Sequence, residues 1–156
     1  KFGYEVAALS RSSDKAELAD DLGAHHFIDT TEHDPAEALQ ARGGAKLILA
    51  TAPSADAISQ LPGGLARDGT VMIVAATGEP VEVAPFDLIM GRRKVQGWPS
   101  GTADDSEDTL DFSALAGVTP TIETYPLSEA GAAYDRMINN EARFRVVLVP
   151  DALYEG

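Results

Sequence analysis

Short apolar segments alternate with helical patterns along most of this chain, and this alternation constrains its fold more than any other feature. Segments of strand character begin near Tyr4, His26, Lys46, Val71 and Lys94. Their starts recur about every 20 to 25 residues, with helical periodicity between them. Several segments lack polar alternation, which is typical of parallel strands covered by helices on both faces. The pattern predicts repeated βα units and hence an α/β fold with a parallel sheet.

The predicted helices have recognisable ends. We predict one helix from Asp14, with Glu17 three residues after this cap, to Gly23. A second helix is predicted to begin at Asp34, with Pro35 in its first position. The remaining predicted elements follow in chain order: a helix from Ser54 to about Leu61, a turn at 67–70, a strand at 71–74, a helix at 85–90, a strand at 94–97, a helix at 102–117 with Leu110 and Leu115 inward, a strand at 121–125, a helix capped by Ser128, and a strand at 143–149.

The first predicted strand ends in hydroxyls and cations. In dinucleotide-binding folds, an acidic residue at the end of the second strand accepts a hydrogen bond from the ribose 2′-hydroxyl. Positions 10–13 contain no acid: Ser10 and Ser12 offer hydroxyls, Arg11 offers a planar guanidinium, and Lys15 adds a second cation. These residues favour a 2′-phosphate and therefore NADP. The alternative is a polar turn before a capped helix, with an incidental Arg11.

Composition excludes several classes of protein. The net charge is −13, with 25 acidic and 12 basic residues, which argues against nucleic-acid binding because phosphate contacts need clustered cations. No apolar run approaches the roughly 20 residues of a membrane-spanning helix. The chain has no cysteine, so it contains neither a disulfide nor a thiolate zinc site. We expect no nucleic-acid or membrane partner, and a cytoplasmic location.

Three histidines lie close together in sequence and raise the question of a metal site. His25, His26 and His33 stand near Asp29, around a strand and the loop after it. Their spacing gives them no common face, so we interpret them as loop residues and assign no metal ligand.

Several short segments, in their order and spacing, resemble one enzyme superfamily. The segments are Leu22-Gly23-Ala24, Thr51-Ala52, Ala66 to Thr70, Phe86 to Gly97, Asp111-Phe112 and Arg143 to Leu148. They resemble the medium-chain dehydrogenase/reductase superfamily, and most of all its zinc-dependent, NADP-preferring alcohol dehydrogenases of the cinnamyl-alcohol dehydrogenase and aldehyde reductase branch. The likeness extends to about Pro150.

The resemblance implies a Rossmann-type doubly wound parallel sheet and a C-terminal helix and strand that return to a catalytic domain. The first strand, the glycine-rich turn G-x-G-x-x-G and the catalytic domain with its zinc ligands do not occur in this sequence. Residues 1–117 would form an NADP-binding domain truncated at its N-terminus, residues 118–150 a strand-helix-strand unit, and residues 151–156 a tail. In the Rossmann strand order the first strand is central, so its absence would leave a gap in the sheet.

The resemblance also implies a cofactor site. The matching residues are Ser10, Arg11, Ser12, Lys15, Thr51, Ala52, Ala75, Ala76, Ser100 and Arg145. The loop from Ser10 to Lys15 matches the phosphate-selecting loop, 51–52 and 75–76 match strand ends beside the nicotinamide, and Arg145 matches an arginine near the pyrophosphate. The chain departs from the family at Ala75, where glycine is frequent, and before Ser100, where Trp98-Pro99 interrupts the usual Gly-Ser.

The function that the resemblance implies is hydride transfer between NADP and the carbon of an alcohol or aldehyde by a homo-oligomeric enzyme. Zinc would act as a Lewis acid from residues outside this chain. No catalytic residue is assigned within residues 1–156, and this segment alone is predicted to be inactive. Two alternatives remain: a zinc-free NADPH quinone or enoyl reductase of the same superfamily, and a non-catalytic NADP-binding remnant.

Overall fold

The computed structural model describes residues 1–139 and 141–154 of the chain. The chain divides into two compact units, which we call the first unit, residues 2–101, and the second unit, residues 102–156. The predicted domain boundary after residue 117 differs from the division between these units, because the helix Ala103–Ala116 lies between the two positions. As a domain boundary it stays a prediction.

The first unit alternates strands and helices, as the sequence predicts. Its elements are β1 (Ala7–Ser10), α1 (Ala16–Asp21), β2 (His26–Asp29), α2 (Pro35–Gln40), β3 (Ala45–Ala50), α3 (Ala55–Ser59), β4 (Leu65–Ile73), α4 (Pro85–Gly91) and β5 (Lys94–Gly97). Single 3₁₀ turns occur at Ser13–Lys15 and Pro62–Gly64. The second unit contains α5 (Ala103–Ala116), β6 (Ile122–Pro126), α6 (Ala130–Ile138) and β7 (Arg145–Val149), with 3₁₀ turns at Leu127–Glu129 and Asp151–Leu153.

All the strand pairs in the described residues are parallel. β1 pairs with β2, β3–β4–β5 form a three-stranded sheet in that order, and β6 pairs with β7. Within the described part of the chain β1 and β3 are not paired with each other, so the first unit holds two sheets. The predicted parallel α/β fold is therefore confirmed, and the break between the sheets coincides with the predicted gap.

One apolar core joins the two sheets of the first unit. It consists of Ile28, Leu39, Ile48, Ala50, Ile58, Leu61, Leu65 and Val71. Half-buried Leu9 of β1 packs against it. Leu65 and Val71 are completely inaccessible to solvent, and burial of such a side chain contributes about 1.5–3 kcal/mol. The two sheets are thus held in one unit by side-chain packing.

Local capping explains where several helices begin. The Asp34 carboxylate accepts a hydrogen bond from the Glu37 N–H at 2.8 Å, and Pro35 occupies the first helical position. The predicted start of α2 is therefore confirmed. At α5, the Thr102 hydroxyl accepts from the Asp105 N–H at 3.3 Å, while the Asp105 carboxylate accepts from the Thr102 N–H at 2.7 Å. This reciprocal arrangement satisfies two N–H groups that have no partner within the helix.

Two sequence predictions about the strands of the first unit are wrong. Residues 67–70 do not form a turn before a strand, because β4 runs through them with a shift in its register against β3. Asp68 has φ 61° there. A Cβ at Gly69 would lie 2.7 Å from the Ala45 carbonyl oxygen, so the bulge needs glycine. β3 is also not buried on both faces, since Leu47 and Leu49 are 60% and 58% exposed.

Polar contacts connect the elements of the second unit. Arg136 Nη2 donates to Glu123 Oε1 at 3.1 Å, and the Arg143 N–H donates to the same oxygen at 2.9 Å. The hydrogen bond from Arg136, and then that from Arg143, hold the pKa of Glu123 below its ordinary value of 4.5. These bonds link β6, α6 and the segment before β7.

Two predictions about the helices of the second unit are wrong. Leu110 and Leu115 of α5 are 69% and 89% exposed rather than inward. Ser128 does not cap α6, because its hydroxyl donates to the Asp151 carboxylate and the helix begins at Ala130 without a side-chain cap. Asp151 lies in the predicted tail, where it begins a 3₁₀ turn. Residues 155 and 156 of that tail are outside the described residues.

None of the helices in the described part of the chain has both the length and the apolar composition needed to cross a bilayer.

Candidate functional site

The carboxyl ends of β3, β4 and β5 lie along one edge of their sheet. Ala50 is aligned with Ile73, and Ile73 with Gly97. The ladder continues one residue further, because the Val74 N–H donates to the Ala50 carbonyl at 3.1 Å and the Trp98 N–H donates to the Ile73 carbonyl at 3.0 Å. In open parallel sheets this edge is where ligands bind. The predicted residues 51–52, 75–76 and Ser100 lie one to three residues after these strand ends.

A shallow cleft of about 260 Å³ lies between the loops after β3 and β4. It is lined by Pro53, Ser54, Ala55, Asp56, Thr77, Gly78 and Glu79. Ser54 accepts from the Ala57 N–H at 3.4 Å and thereby caps α3, and the Thr77 hydroxyl donates to the Glu79 carbonyl at 2.7 Å. The predicted residues 51–52 and 75–76 come just before this lining. The polar residues that follow each predicted strand in the sequence could have indicated these lining residues.

The β1–β2 pair forms the corresponding edge of the other sheet. Ser10, the last residue of β1, is aligned with Asp29, the last residue of β2. The Thr30 N–H donates to the Ser10 carbonyl at 2.8 Å, and the Thr30 hydroxyl donates to the same oxygen at 3.2 Å. The Asp29 carboxylate accepts from the hydroxyl and the N–H of Thr31, which lowers the pKa of Asp29. Sequence reasoning missed the contacts between Thr30 and Ser10 because Ser10 ends β1 and Thr30 follows β2, 20 residues further along the chain.

The loop after β1 holds the residues predicted to select the phosphate. Arg11 and Lys15 are exposed, and their side chains form no hydrogen bond or ion pair with any residue that the structure describes. The Ser12 hydroxyl donates to the Asp14 carboxylate. The loop thus presents two cations at the carboxyl end of a parallel strand.

The predicted cap at Asp14 is wrong. Asp14 lies inside the 3₁₀ turn Ser13–Lys15, and α1 begins at Ala16 without any side-chain cap. The physical reason is a competing partner, because the Asp14 carboxylate is engaged by the Ser12 hydroxyl two residues earlier. Asp14 and Glu17 therefore do not form the predicted helix cap of α1.

Arg145 is the predicted cofactor residue that lies in the second unit. It begins β7, is exposed, and makes no side-chain hydrogen bond with the described residues. The predicted strand at 143–149 also includes Arg143, but in the structure Arg143 precedes β7. All the other predicted site residues belong to the first unit.

Two of the three histidines, His25 and His26, make contacts at the amino end of the β1–β2 pair. His25 Nδ1 accepts from the Val6 N–H at 3.1 Å, and His26 Nε2 lies 2.6 Å from Glu5 Oε1. The hydrogen bond with His26 lowers the pKa of Glu5. Among the residues the structure describes, no group of three or more His, Cys, Asp or Glu side chains is arranged to hold a metal ion.

Comparison with known proteins identifies the family. The model of the zinc-binding dehydrogenase family matches residues 1–116. The chain belongs to this zinc-binding dehydrogenase family.

Individual relatives agree with that assignment. The chain is 44% identical over 148 residues to the alcohol dehydrogenase patD of Penicillium expansum, and the match covers 95% of this chain and 43% of that protein. A cinnamyl alcohol dehydrogenase structure from Sorghum bicolor has a TM-score of 0.79 at 29% identity, over 99% of this chain and 43% of that one. A putative alcohol dehydrogenase structure from Sinorhizobium meliloti has a TM-score of 0.84 at 28% identity, over 94% and 44%. The predicted resemblance to zinc-type alcohol dehydrogenases is confirmed, and the chain spans less than half the length of these relatives.

The name of the family implies zinc, and the residues of this chain can be tested for it. The sequence has no cysteine, and the described residues bring no set of three potential ligands together. These residues do not fit a zinc ion.

Proposed function

We propose that this chain is the NADP-binding part of an alcohol dehydrogenase or aldehyde reductase. The observation that carries the proposal is the loop after β1, where the exposed cations Arg11 and Lys15 have no partner among the described residues. The names of the relatives, alcohol dehydrogenase and cinnamyl alcohol dehydrogenase, support the reaction class. When bound, NADP would supply or accept the hydride that interconverts an alcohol and an aldehyde.

The charge balance of the chain supports a phosphate at this loop. Acidic residues outnumber basic ones by 25 to 12, so carboxylate partners for a cation are plentiful. Arg92 and Arg136 both take such partners, in Asp68 and Glu123. Arg11, like the remaining lysines and arginines, has no carboxylate partner among the residues that the structure describes, which leaves its guanidinium available for the paired hydrogen bonds that a phosphate accepts. The carboxylate nearest in sequence, Asp14, accepts from the Ser12 hydroxyl and makes no ion pair with Arg11.

The cleft after β3 and β4 suits the other end of the cofactor. Asp56 and Glu79 are among its lining residues, and their carboxylates would repel a phosphate but favour the positively charged ring of oxidised nicotinamide. We assign Thr51-Ala52 and Ala75-Ala76, directly before this lining, to the nicotinamide end. Ser100, after β5 on the same edge, is assigned with them.

The decisive experiment replaces Arg11 in the complete product of the gene that contains this sequence. Arg11→Asp should weaken NADP binding by a few kcal/mol, because it removes a charge-assisted pair and adds repulsion. NAD binding should change little or improve. Dissociation constants for both cofactors, with NADPH oxidation by an aromatic aldehyde, a quinone and an enoyl substrate, test the cofactor and the reaction class together.

The matched control is Arg67→Asp, the same charge change at another exposed arginine of the first unit. It should leave the preference for NADP unchanged. An equal loss of NADP and NAD affinity in Arg11→Asp would reject the phosphate assignment.

Arg145 is tested separately because it lies in the second unit. If it contacts the pyrophosphate, Arg145→Ala should raise the dissociation constants of NADP and NAD by similar factors, since both cofactors share that group. A loss confined to NADP would contradict this role.

A further inference from the structure

The carbonyl of Ser10 accepts two hydrogen bonds from one residue of the neighbouring strand's end. The first, from the Thr30 N–H at 2.8 Å, continues the parallel ladder beyond the aligned pair Ser10 and Asp29. The second comes from the Thr30 hydroxyl at 3.2 Å and is not part of any ladder. This additional bond is a property of the threonine side chain at position 30.

The turn that carries Thr30 is closed by its own hydrogen bonds. The Asp29 carboxylate accepts from the Thr31 N–H at 2.9 Å and from the Thr31 hydroxyl at 2.6 Å. The Asp29 carbonyl accepts from the N–H groups of Glu32 and His33 at 3.3 and 3.0 Å. Thr30 is therefore held on a well-bonded support, and the two neighbouring threonines have different tasks. Thr31 closes its own turn, whereas Thr30 reaches across to β1.

The Ser10 carbonyl belongs to the peptide group that leads into Arg11. Because a peptide group is planar, its oxygen and the N–H and Cα of the next residue turn together. A single hydrogen bond leaves this plane free to tilt about the bond, whereas a second donor to the same oxygen restricts the tilt. The direction in which the chain enters the loop at Arg11 is thus set by Thr30.

The loop itself offers little competing restraint. Its one side-chain hydrogen bond among the described residues joins Ser12 to Asp14, and Arg11 has none. Orientation of the Arg11 guanidinium toward an anion therefore depends on where its backbone is placed, since paired hydrogen bonds to a phosphate tolerate little misalignment.

We propose that Thr30 is a positioning residue for cofactor selection, whose hydroxyl fixes the Ser10 carbonyl and so aligns Arg11 with the 2′-phosphate of NADP. The inference rests on the proposed function, in which the Arg11 loop binds that phosphate. It adds a residue, on the turn after β2, that touches no cofactor and acts through the backbone of β1. NAD lacks the 2′-phosphate, so its binding does not depend on this alignment.

The test uses three variants of the complete gene product. Thr30→Val removes the hydroxyl and keeps the branched shape and the N–H. Thr30→Ser keeps the hydroxyl. Thr31→Val is the matched control, because it removes a neighbouring hydroxyl that does not reach β1 and keeps the backbone N–H donors of Thr31, Glu32 and His33 that also close the turn. Dissociation constants for NADPH and NADH are measured by fluorescence titration, with kcat at saturating cofactor.

Thr30→Val should raise the dissociation constant for NADPH about two- to fivefold, because at most the factor that one net hydrogen bond supplies can be transmitted to cofactor binding, and should leave that for NADH unchanged. Thr30→Ser should restore the dissociation constant for NADPH of the unaltered protein. Thr31→Val should keep the ratio of the NADPH and NADH dissociation constants. The kcat of Thr30→Val at saturating NADPH should equal that of the unaltered protein. Should Thr30→Val fail to fold, Thr30→Ala, which lacks the added methyl group, provides the same comparison.

Two outcomes overturn the inference: an equal loss of both cofactors in Thr30→Val, which shows a merely structural role, or no loss of NADPH affinity. Failure of the proposed function has a different signature. The unaltered protein would then show no preference for NADPH, or the Arg11→Asp variant would still prefer NADPH. Either result would also reject the inference about Thr30.

Discussion

The contacts that stabilise the first unit internally differ in kind from those that stabilise the second. The first unit has one apolar core to which both of its sheets contribute. In the described part of the second unit, Ala133 is the buried apolar residue, and polar pairs join its elements, Glu123 with Arg136 and Ser128 with Asp151. The first unit should therefore be sensitive to changes in side-chain volume, and the second to charge and pH.

The exposed apolar side chains show the same difference. In the second unit Leu110, Leu115, Met137 and Ile138 are each more than half exposed. α6 presents apolar residues at helical spacing, but an apolar face adds stability only when another surface covers it. Periodicity alone therefore overstates the core of the second unit.

The largest effect is expected from truncating leucine in the core of the first unit. Leu65→Ala, at a position with no solvent exposure, should lower the free energy of unfolding by about 2–5 kcal/mol. Leu115→Ala, at a position 89% exposed, should change it by less than about 0.5 kcal/mol. Chemical denaturation followed by circular dichroism measures both, and a comparable loss in the two variants would break the comparison.

Glycines with positive φ provide a second pair. Gly117 in the second unit has φ 64°, and a Cβ added there would meet no other atom within 4 Å, so Gly117→Ala should cost about 1 kcal/mol from backbone strain alone. Gly44 in the first unit has φ 78°, and a Cβ there would lie 2.6 Å from the Ala66 nitrogen. Gly44→Ala should cost distinctly more, because backbone must also move. Equal unfolding free energies for the two variants would show that the first unit is not tightly packed at this point.

Stability of the second unit should fall in acid through Glu123. Its folded-state pKa is lowered by Arg136 and Arg143, so its contribution is complete above the ordinary value of about 4.5 and is lost as the pH falls through the lowered pKa. Glu123→Gln should be less stable than the unaltered protein at pH 7, and this difference should shrink toward pH 3. Thermal unfolding across that range tests it, and a constant difference would argue against the ion pair.

The smallest effect is expected at an exposed ion pair of the first unit. Arg92 Nη2 lies 2.8 Å from Asp68 Oδ2, with both side chains at least half exposed. Asp68→Asn keeps a residue type that tolerates the positive φ of this position and removes the charge. At physiological salt the unfolding curve should hardly move. A loss as large as that of Leu65→Ala would show that charge, rather than packing, also stabilises the first unit.

The elements that sequence predicts well have local signals. At α2, an acid, a proline and a second acid occur within four positions and specify the start without help from the rest of the chain. Asp14 carries a similar signal and fails, because Ser12 competes for its carboxylate. The residue types Asp68 and Gly69 are compatible with both a turn and a β-bulge, and the pairing of β4 with β3 determines that a bulge forms.

The candidate site is predictable to the extent that it follows strand ends. The positions of apolar runs place Ser10, Thr51 and Ala75, and the structure has each of them at the end of a parallel strand or within two residues of one. The contact of Thr30 with Ser10 is not predictable, because it joins residues 20 positions apart and depends on the register of β1 against β2.

The parallel pairing of the strands has a consequence for how the chain folds. Each ladder in the described residues joins strands that are separated by a crossover, so no tight hairpin is available to start a sheet. The chain loses the entropy of closing each crossover before any hydrogen bond of the ladder forms to offset that cost. Folding should accordingly be slow for a chain of this size, and it should begin where a helix connects two strands that pair, as α3 does between β3 and β4.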